Sequence, residues 1–358
     1  MKNTFGSCVT VTIFGESHGS AVGAVLDGIE PGLKIDEEFI SRRMNQRRAV
    51  GALSTARRED DRAEILSGVY RGTTTGTPIS FLIYNKNTKS ADYDALASVC
   101  RPGHADYTGY IKYKGFGDYR GGGHFSGRIT AGLVAAGAVA ELSLMRQGIR
   151  IGTHIKRCGG VSDREFSDVD ADISALSDMD FAVLDGNAEK AMKERILAAK
   201  SEGDSVGGVL ETAICGLPAG VGEPWFDTVE GVLSHMMFSI PAIKGVEFGG
   251  GFSLADMKGS ESNDSFYASA GEIHTKTNRC GGILGGISDG EPIIMRCAVK
   301  PTPSIYKEQE SVNIKTRENV SLRIEGRHDP AVVHRARAVV NAGAALAVRD
   351  LLSMGGFL

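Results

Sequence analysis

Two long alanine-rich stretches, residues 128–147 and 330–354, constrain this chain more than any other feature. Alanine is the strongest helix former, and side chains this small let two helices pack closely in the centre of a fold. Gly148 stands just past the first stretch as a C-terminal signal. Asp329 and Pro330 place an N-cap and an N1 proline at the start of the second. Shorter helices are expected over 36–48, capped by Asp36, over 187–200, capped by Asn187, and over 227–238. Strand-like runs occupy 8–14, 20–28, 78–84, 149–155, 206–215, 244–252 and 292–299. The strands come in pairs and do not alternate with helices at regular spacing. That favours an α+β fold, with antiparallel sheets around long central helices, over a doubly wound parallel sheet. No fixed-period repeat or low-complexity linker divides the chain, so 1–358 is expected to form a single domain.

Net charge is only −4, which argues against a general affinity for nucleic acid. No uncharged apolar run approaches ~18 residues, and no signal-peptide core follows Lys2, so no membrane partner is expected. The six cysteines, Cys8, Cys100, Cys158, Cys215, Cys280 and Cys297, are far apart and form no C-x-x-C. That argues against a metal cluster or redox pair and predicts a reducing, cytoplasmic setting. Glycine is in excess, with 47 in 358 residues against a usual share of ~7%. Scattered glycines of this kind imply many turns and close approaches of bare backbone.

The segment "FGESHG" contains Gly15-Glu16-Ser17-His18-Gly19, a literal G-x-S-x-G. A serine nucleophile in that pattern needs a strand, a sharp turn and then a helix. Here a second apolar strand-like run follows, so the motif reads as a hairpin tip. Three other loops also set histidine beside glycine, arginine or an acid: "RPGHAD", "DYRGGGHFSGR" and "EGRHDP". Two of the four lead into the alanine-rich helices, where free N–H groups and the helix dipole favour anions. No G-K-[ST] follows the glycines, and no G-x-G-x-x-G follows a strand, so a P-loop kinase and a Rossmann dehydrogenase are disfavoured. Arg42, Arg43, Arg47, Arg48, Arg57 and Arg58 read singly as a solvated face. With Arg101, Arg120, Arg128 and Arg327 they suit a ligand with several negative charges. Asp329 reads either as a helix cap or as a chemical group. The run "GGILGG" at 281–286 reads either as a tight crossing or as bare backbone against a flat ring. His154, His235, His274 and His334 carry no assignment.

Together the segments "FGESHG", "RPGHADYT", "DYRGGG" with "SGR", "GDSVGG", "KGVEFG", "GGILGGIS", "KPTPSI" and "GRHDP" resemble the chorismate synthase family, in the family's order and from residue 14 to 330. The resemblance implies a β-α-β sandwich, a homotetramer, and a carbon–oxygen lyase of the shikimate pathway. Its substrate would be 5-enolpyruvylshikimate 3-phosphate, which loses phosphate by 1,4-anti elimination to give chorismate. The implied cofactor is reduced FMN, although the reaction is redox-neutral overall. By motif match, Ser17, Arg47, Arg101, Arg128 and Arg327 would line the substrate. His18 would be the general acid for the leaving phosphate. His104 would hold the flavin's protonation state, and Asp329 would help take the proton lost from the ring. FMN contacts would come from Ser126, Ala242, Gly285, Lys300, Pro301, Thr302, Pro303, Ser304 and Arg327.

The chain departs from the family at three places. His124 and Phe125 stand where Arg-Ser is usual. Pro241 stands where many members have Asn and offers no N–H. The loop after Arg47 is short, and an arginine often found there has no equivalent near Leu53 and Ser54. This weakens direct NADPH binding and points to an external flavin reductase. The departures leave open a flavin-binding relative that is catalytically impaired.

Overall fold

The computed structural model describes residues 2–48, 51–54, 61–86, 98–324, 326 and 328–357. The expected hairpin opens the first sheet. Its strands are β1 (Thr4–Phe5), β2 (Thr10–Gly15), β3 (Ala21–Asp27), β4 (Glu64–Ser67) and β5 (Ile79–Tyr84), ordered β1-β2-β3-β5-β4 and antiparallel throughout. The second sheet is also antiparallel. It holds β6 (Arg150–Cys158), β7 (Val161–Ser162), β8 (Gly208–Cys215), β9 (Ile243–Phe248) and β10 (Ile293–Val299), ordered β9-β10-β8-β6-β7.

The helices are α1 (Glu37–Gln46), α2 (Asp106–Lys112), α3 (Thr130–Met145), α4 (Val169–Leu176), α5 (Gly186–Ser201), α6 (Val229–Ser239), a single turn at Gly259–Ser262, and α7 (Val333–Met354). The alanine-rich α3 and α7 form the layer between the sheets, α3 against β3 and α7 against β6 and β8. The result is an α+β fold arranged as a β-α-β sandwich. Small residues make this possible. A Cβ on Gly132 would lie 2.6 Å from the backbone of Gly23 in β3, and one on Gly137 would lie 2.4 Å from Ala342 Cβ in α7. One hydrophobic cluster runs from Val9 through both sheets to Leu352. The helical stretch Gly127–Met145 is long and apolar enough to cross a membrane, with mean hydropathy 1.4, but 89% of it is buried inside the protein. It is thus more apolar than the sequence reading allowed, and the sandwich accounts for it as a core helix.

Long-range polar ties close the layers. The Asp350 carboxylate near the end of α7 accepts from the backbone N–H groups of Ser7 (2.9 Å), Cys8 (2.7 Å) and Val9 (2.8 Å). Arg43 in α1 makes a bidentate pair with Glu141 in α3, so this arginine is structural rather than a solvated charge. His154, which carried no sequence assignment, is fully buried on the outer side of the second sheet. Its Nδ1 lies 2.8 Å from Asp163 and its Nε2 3.1 Å from Glu211. The cysteines are free thiols.

Two cap expectations are corrected. Asp36 caps α1 by accepting from Phe39 N at 2.8 Å. Asn187, however, lies inside α5, whose cap is Asp185, accepting from the N–H groups of Asn187 and Ala188. Asp329 is not a helix cap either. The Pro330 carbonyl is taken by Val206 N at 2.9 Å, so the helix starts only at Val333 with Val332 as cap residue. The expected C-terminal glycine fits: Gly148 has φ +80 and donates to the Met145 carbonyl.

Candidate active site

The hairpin tip at 16–20 joins β2 to β3, and the Gly19 N–H donates to the Glu16 carbonyl to close it. No helix follows the tip, so the hydrolase elbow is absent. Ser17 and His18 are buried, 4% and 8% exposed. Gly121, Gly122 and Gly123 cover them with φ +59, +83 and +53, a run that side chains with a Cβ resist. A Cβ on Gly121 would lie 2.7 Å from His18 Nε2 and 3.0 Å from Ser17 Oγ. The Ser17 N–H donates to the Gly123 carbonyl at 3.1 Å, and His124 Nδ1 donates to the Gly15 carbonyl at 2.8 Å. Asp118 and Arg120 make a bidentate pair that holds the Asp118 carboxyl below its ordinary value.

The two unusual residues therefore have structural partners. His124 grips the tip's backbone. The Phe125 ring meets Tyr113 edge-on at 5.9 Å and lies over Gly109, where a Cβ would come within 2.8 Å of it. Phe125 thus supports α2 from below.

On the other side of the glycine loop lies a second group. A Cβ on Gly122 would stand 3.9 Å from the Arg101 guanidinium and 3.8 Å from Ser126 Cβ. Arg101 grips Asp106 through Nε (2.8 Å) and Nη2 (2.7 Å). Burial pushes the Asp106 carboxyl up, but Arg101 outweighs it and leaves the group below its ordinary value. His104 is driven down to about 4, first by burial and then by the Arg101 charge. It is therefore neutral at pH 7, and its partners fix the tautomer. The Pro102 carbonyl, 3.0 Å from Nδ1, only accepts, so Nδ1 carries the hydrogen. Ser304 then donates its hydroxyl hydrogen to Nε2 at 2.9 Å.

The 300–304 stretch is locked onto this group. Lys300 Nζ donates to the Gly103 carbonyl at 2.6 Å, and a Cβ on Gly103 would lie 2.8 Å from Pro303. The Lys300 N–H donates to the carbonyl of Ala242, which sits at φ +75. A non-glycine residue there is strained, a condition common at ligand sites. Ser205 fixes the Thr302 carbonyl, yet Thr302 Oγ1 is shielded from solvent and has no hydrogen-bond partner among the described residues. A buried hydroxyl left so costs about 1–3 kcal/mol, which a bound acceptor would relieve. With Lys300 and the strained Ala242 beside it, this stretch fits an anionic cofactor.

A third group sits behind the tip. Arg47 and Arg128 are buried, and both pair with buried Asp61, Arg128 in close contact and Arg47 at 3.4 Å. Arg128 Nε donates to Asn85 Oδ1 at 2.9 Å, and Asn85 Nδ2 donates to the tip carbonyls of Glu16 (3.0 Å) and Gly19 (2.8 Å). Arg335 links Asp329 (2.5 Å) to the Arg47 carbonyl (2.9 Å). Sequence reasoning passed over Asp61, Asn85 and Arg335. Asp61 lies in a dense run of charges with nothing local to distinguish it.

The fold thus gathers Ser17, His18, Arg47, Arg101, His104, Ser126, Arg128, Ala242, the 300–304 stretch and Asp329. Gly285 is apart from them. With Gly286 it forms a two-residue hairpin turn at the N-terminal end of α6, where the Gly286 carbonyl accepts from Val229 N, whereas Ala242 follows the other end of that helix. Eleven residues of helix separate the two, about 16 Å. Arg327 lies outside the described residues, as do Arg57 and Arg58.

Comparison with known proteins gives the family. The family model described as chorismate synthase matches residues 9–352. Chorismate synthase of Dehalococcoides mccartyi is 47% identical over 100% of this chain and 98% of its own length. That of Archaeoglobus fulgidus is 47% identical over 99% and 98%, and that of Pyrococcus abyssi 46% over 97% and 96%. A chorismate synthase crystal structure superposes with a TM-score of 0.77 at 30% identity, covering 98% of this chain and 93% of that one. The chain belongs to the chorismate synthase family.

Proposed function

We propose that this protein converts 5-enolpyruvylshikimate 3-phosphate to chorismate by 1,4-anti elimination of phosphate, with reduced FMN bound beside the substrate. The observation that carries this reading is the glycine loop. Buried His18 lies against Gly121, the Arg101 guanidinium lies beside Gly122, and Asn85 ties Arg128 to the same tip. A proton carrier and several arginines then face one ligand, which suits a substrate with one phosphate and two carboxylates.

Arg47, Arg101 and Arg128 bind and orient the anionic groups, and Ser17 donates a hydrogen bond from the tip. His18 delivers a proton to the leaving phosphate as the C–O bond breaks. Asp329, held by Arg335, would stand by the cofactor and help it receive the proton lost from the ring. His104, kept neutral with its hydrogen on Nδ1, holds the local proton balance without adding a charge. Ser126, Ala242, Lys300, Thr302 and Ser304 would hold the cofactor, with Lys300 and the Thr302 hydroxyl suited to its phosphate. When bound, reduced FMN would supply electron density to the breaking bond. The bare backbone of the glycine loop lets these groups close over the substrate and exclude water.

The same reading takes the protein to be a cytoplasmic homotetramer served by an external flavin reductase. Trp225, Phe226 and Phe252 are 77%, 96% and 85% exposed, which supports burial against other copies. Sedimentation velocity at micromolar concentration would give the assembly. The function is tested anaerobically: FMN is photoreduced with the purified protein, the substrate is added, and phosphate and chorismate are followed together. Equal yields that depend on reduction are expected. FMN binding without product, or phosphate release without reduced flavin, would overturn the reading.

A further inference from the structure

Asp61 is a buried and Asn85 a half-buried polar group of this site that, like Arg335, none of the motifs covers. Asp61 is 3% exposed, with one carboxylate oxygen on Arg128 and the other 3.4 Å from Arg47 Nη2. Two guanidinium groups buried this close repel each other. A carboxylate between them, with one oxygen toward each, lowers that cost and sets their spacing. The trio keeps one net positive charge.

Asn85 continues the chain of contacts. Its Oδ1 accepts from Arg128 Nε, and its Nδ2 donates to the Glu16 and Gly19 carbonyls. The amide orientation follows from these partners, because a flipped amide would set NH₂ against a guanidinium and oxygen against two carbonyls. Arg128 is thus gripped by Asp61 through Nη1 and by Asn85 through Nε. Through Asn85, the arginine that would hold an anionic group is bolted to the turn that carries Ser17 and His18.

We propose that Asp61 and Asn85 are positioning residues: Asp61 sets the spacing of the anion-binding arginines, and Asn85 keeps the Ser17–His18 tip in register with Arg128. This rests on the function proposed above. The two residues act on different quantities. Asp61 governs how well the substrate's anionic groups are held. Asn85 governs where His18 stands relative to them.

The test uses the full-length protein with reduced FMN and steady-state kinetics of D61N and N85D. D61N keeps the shape but removes the charge that separates the arginines, so KM rises by roughly tenfold or more while kcat changes by less than about threefold. N85D still accepts from Arg128 but sets a carboxylate against the Glu16 and Gly19 carbonyls. There kcat falls by roughly tenfold or more, its pH profile shifts, and KM changes little. Thermal melts accompany both. If D61N does not fold, D61E takes its place; it keeps the charge but displaces the arginines, and the same rise in KM is expected. A D61N enzyme with wild-type KM, or an N85D enzyme with wild-type kcat and pH profile, would overturn the corresponding half. Loss of kcat and KM together in proportion to lost melting temperature would show a merely structural role. Wild-type protein run alongside separates the two levels: no chorismate from wild type removes the function itself, whereas normal wild-type turnover with unaffected variants removes only the positioning roles.

Discussion

The α-carbon of Gly121 lies against the imidazole edge of His18, so close that a methyl group there would sit 2.6 Å from Cδ2. Backbone, not a side chain, forms the wall beside the proposed general acid. That wall exists because three successive residues adopt positive φ, which only glycine does at little cost.

Gly121→Ala therefore serves as a direct probe of His18. The added methyl must displace the imidazole or unwind the loop. We expect kcat/KM to fall by at least roughly 100-fold, about 2.7 kcal/mol of transition-state stabilisation. The core residues are untouched, so the thermal transition should move by only a few degrees. Stopped turnover assays beside a melt would check this; near-wild-type turnover would refute the proposed contact.

His104 should stay neutral well into the acid range. Its folded value of about 4 lies below the ordinary imidazole value. Between about pH 6.5 and 4 the unfolded chain binds the proton and the folded one does not, so stability falls as pH falls through that window. Long-range ¹H–¹⁵N spectra near pH 6 should show the Nδ1–H tautomer. An imidazolium signal at that pH would contradict the Pro102 and Ser304 contacts.

His154 should behave in the opposite way. Burial alone would lower it, but Asp163 and Glu211 outweigh burial and raise it, while both carboxyls are held low. Its contribution is full below the ordinary imidazole value and is lost as pH rises through the raised one. The carboxylates' share is full above their ordinary values and is lost on acidification. His154→Leu should cost about 3 kcal/mol near pH 6, because it removes the buried cation between two carboxylates and leaves Glu211 only Arg296 and Asp163 only backbone N–H groups. Denaturant melts across pH would show the alkaline decline in wild type and not in the variant.

Gly137→Val should break the helix layer. The added atoms would meet Ala342 Cβ at 2.4 Å and its carbonyl at 2.6 Å, and a helix backbone cannot rotate away as a side chain does. A loss of about 3 kcal/mol or more is expected. Gly186→Ala is the control. Nothing lies within 4 Å of its Cβ position and its φ is not positive, so stability should hold or rise by about 0.4–1 kcal/mol. Equal effects from the two substitutions would rule out the packing argument.

Local chemistry made some of this legible and long-range partners hid the rest. The hairpin at Ser17 was readable because β-branched runs flank it, and the α3 terminus because Gly148 marks it. Asp36 was a sound cap because a cap acts within its own turn. Asp329 failed as a cap because Val206, far away in the chain, claims the Pro330 carbonyl. Asp185 outcompeted Asn187 by a shift of two residues between chemically similar groups. Motif residues such as His18 and His104 could be singled out, but the residues packed around them could not. Asp61 meets Arg128 across 67 residues, and no local pattern encodes such a pairing. His154 looked incidental because its burial depends on the 163–166 segment folding back over it, where the Phe166 ring stands 4.8 Å away.

The grip of Asp350 on the N–H groups of Ser7, Cys8 and Val9 has a bearing on how the protein is made. These N–H groups are fastened by a residue made much later, 341 positions on for Val9. The central layer likewise lacks α7 until residues 333–354 have been made. The nascent chain must therefore hold the β2–β3 hairpin without this anchor until α7 emerges, so α7 sets the moment at which the sandwich can close.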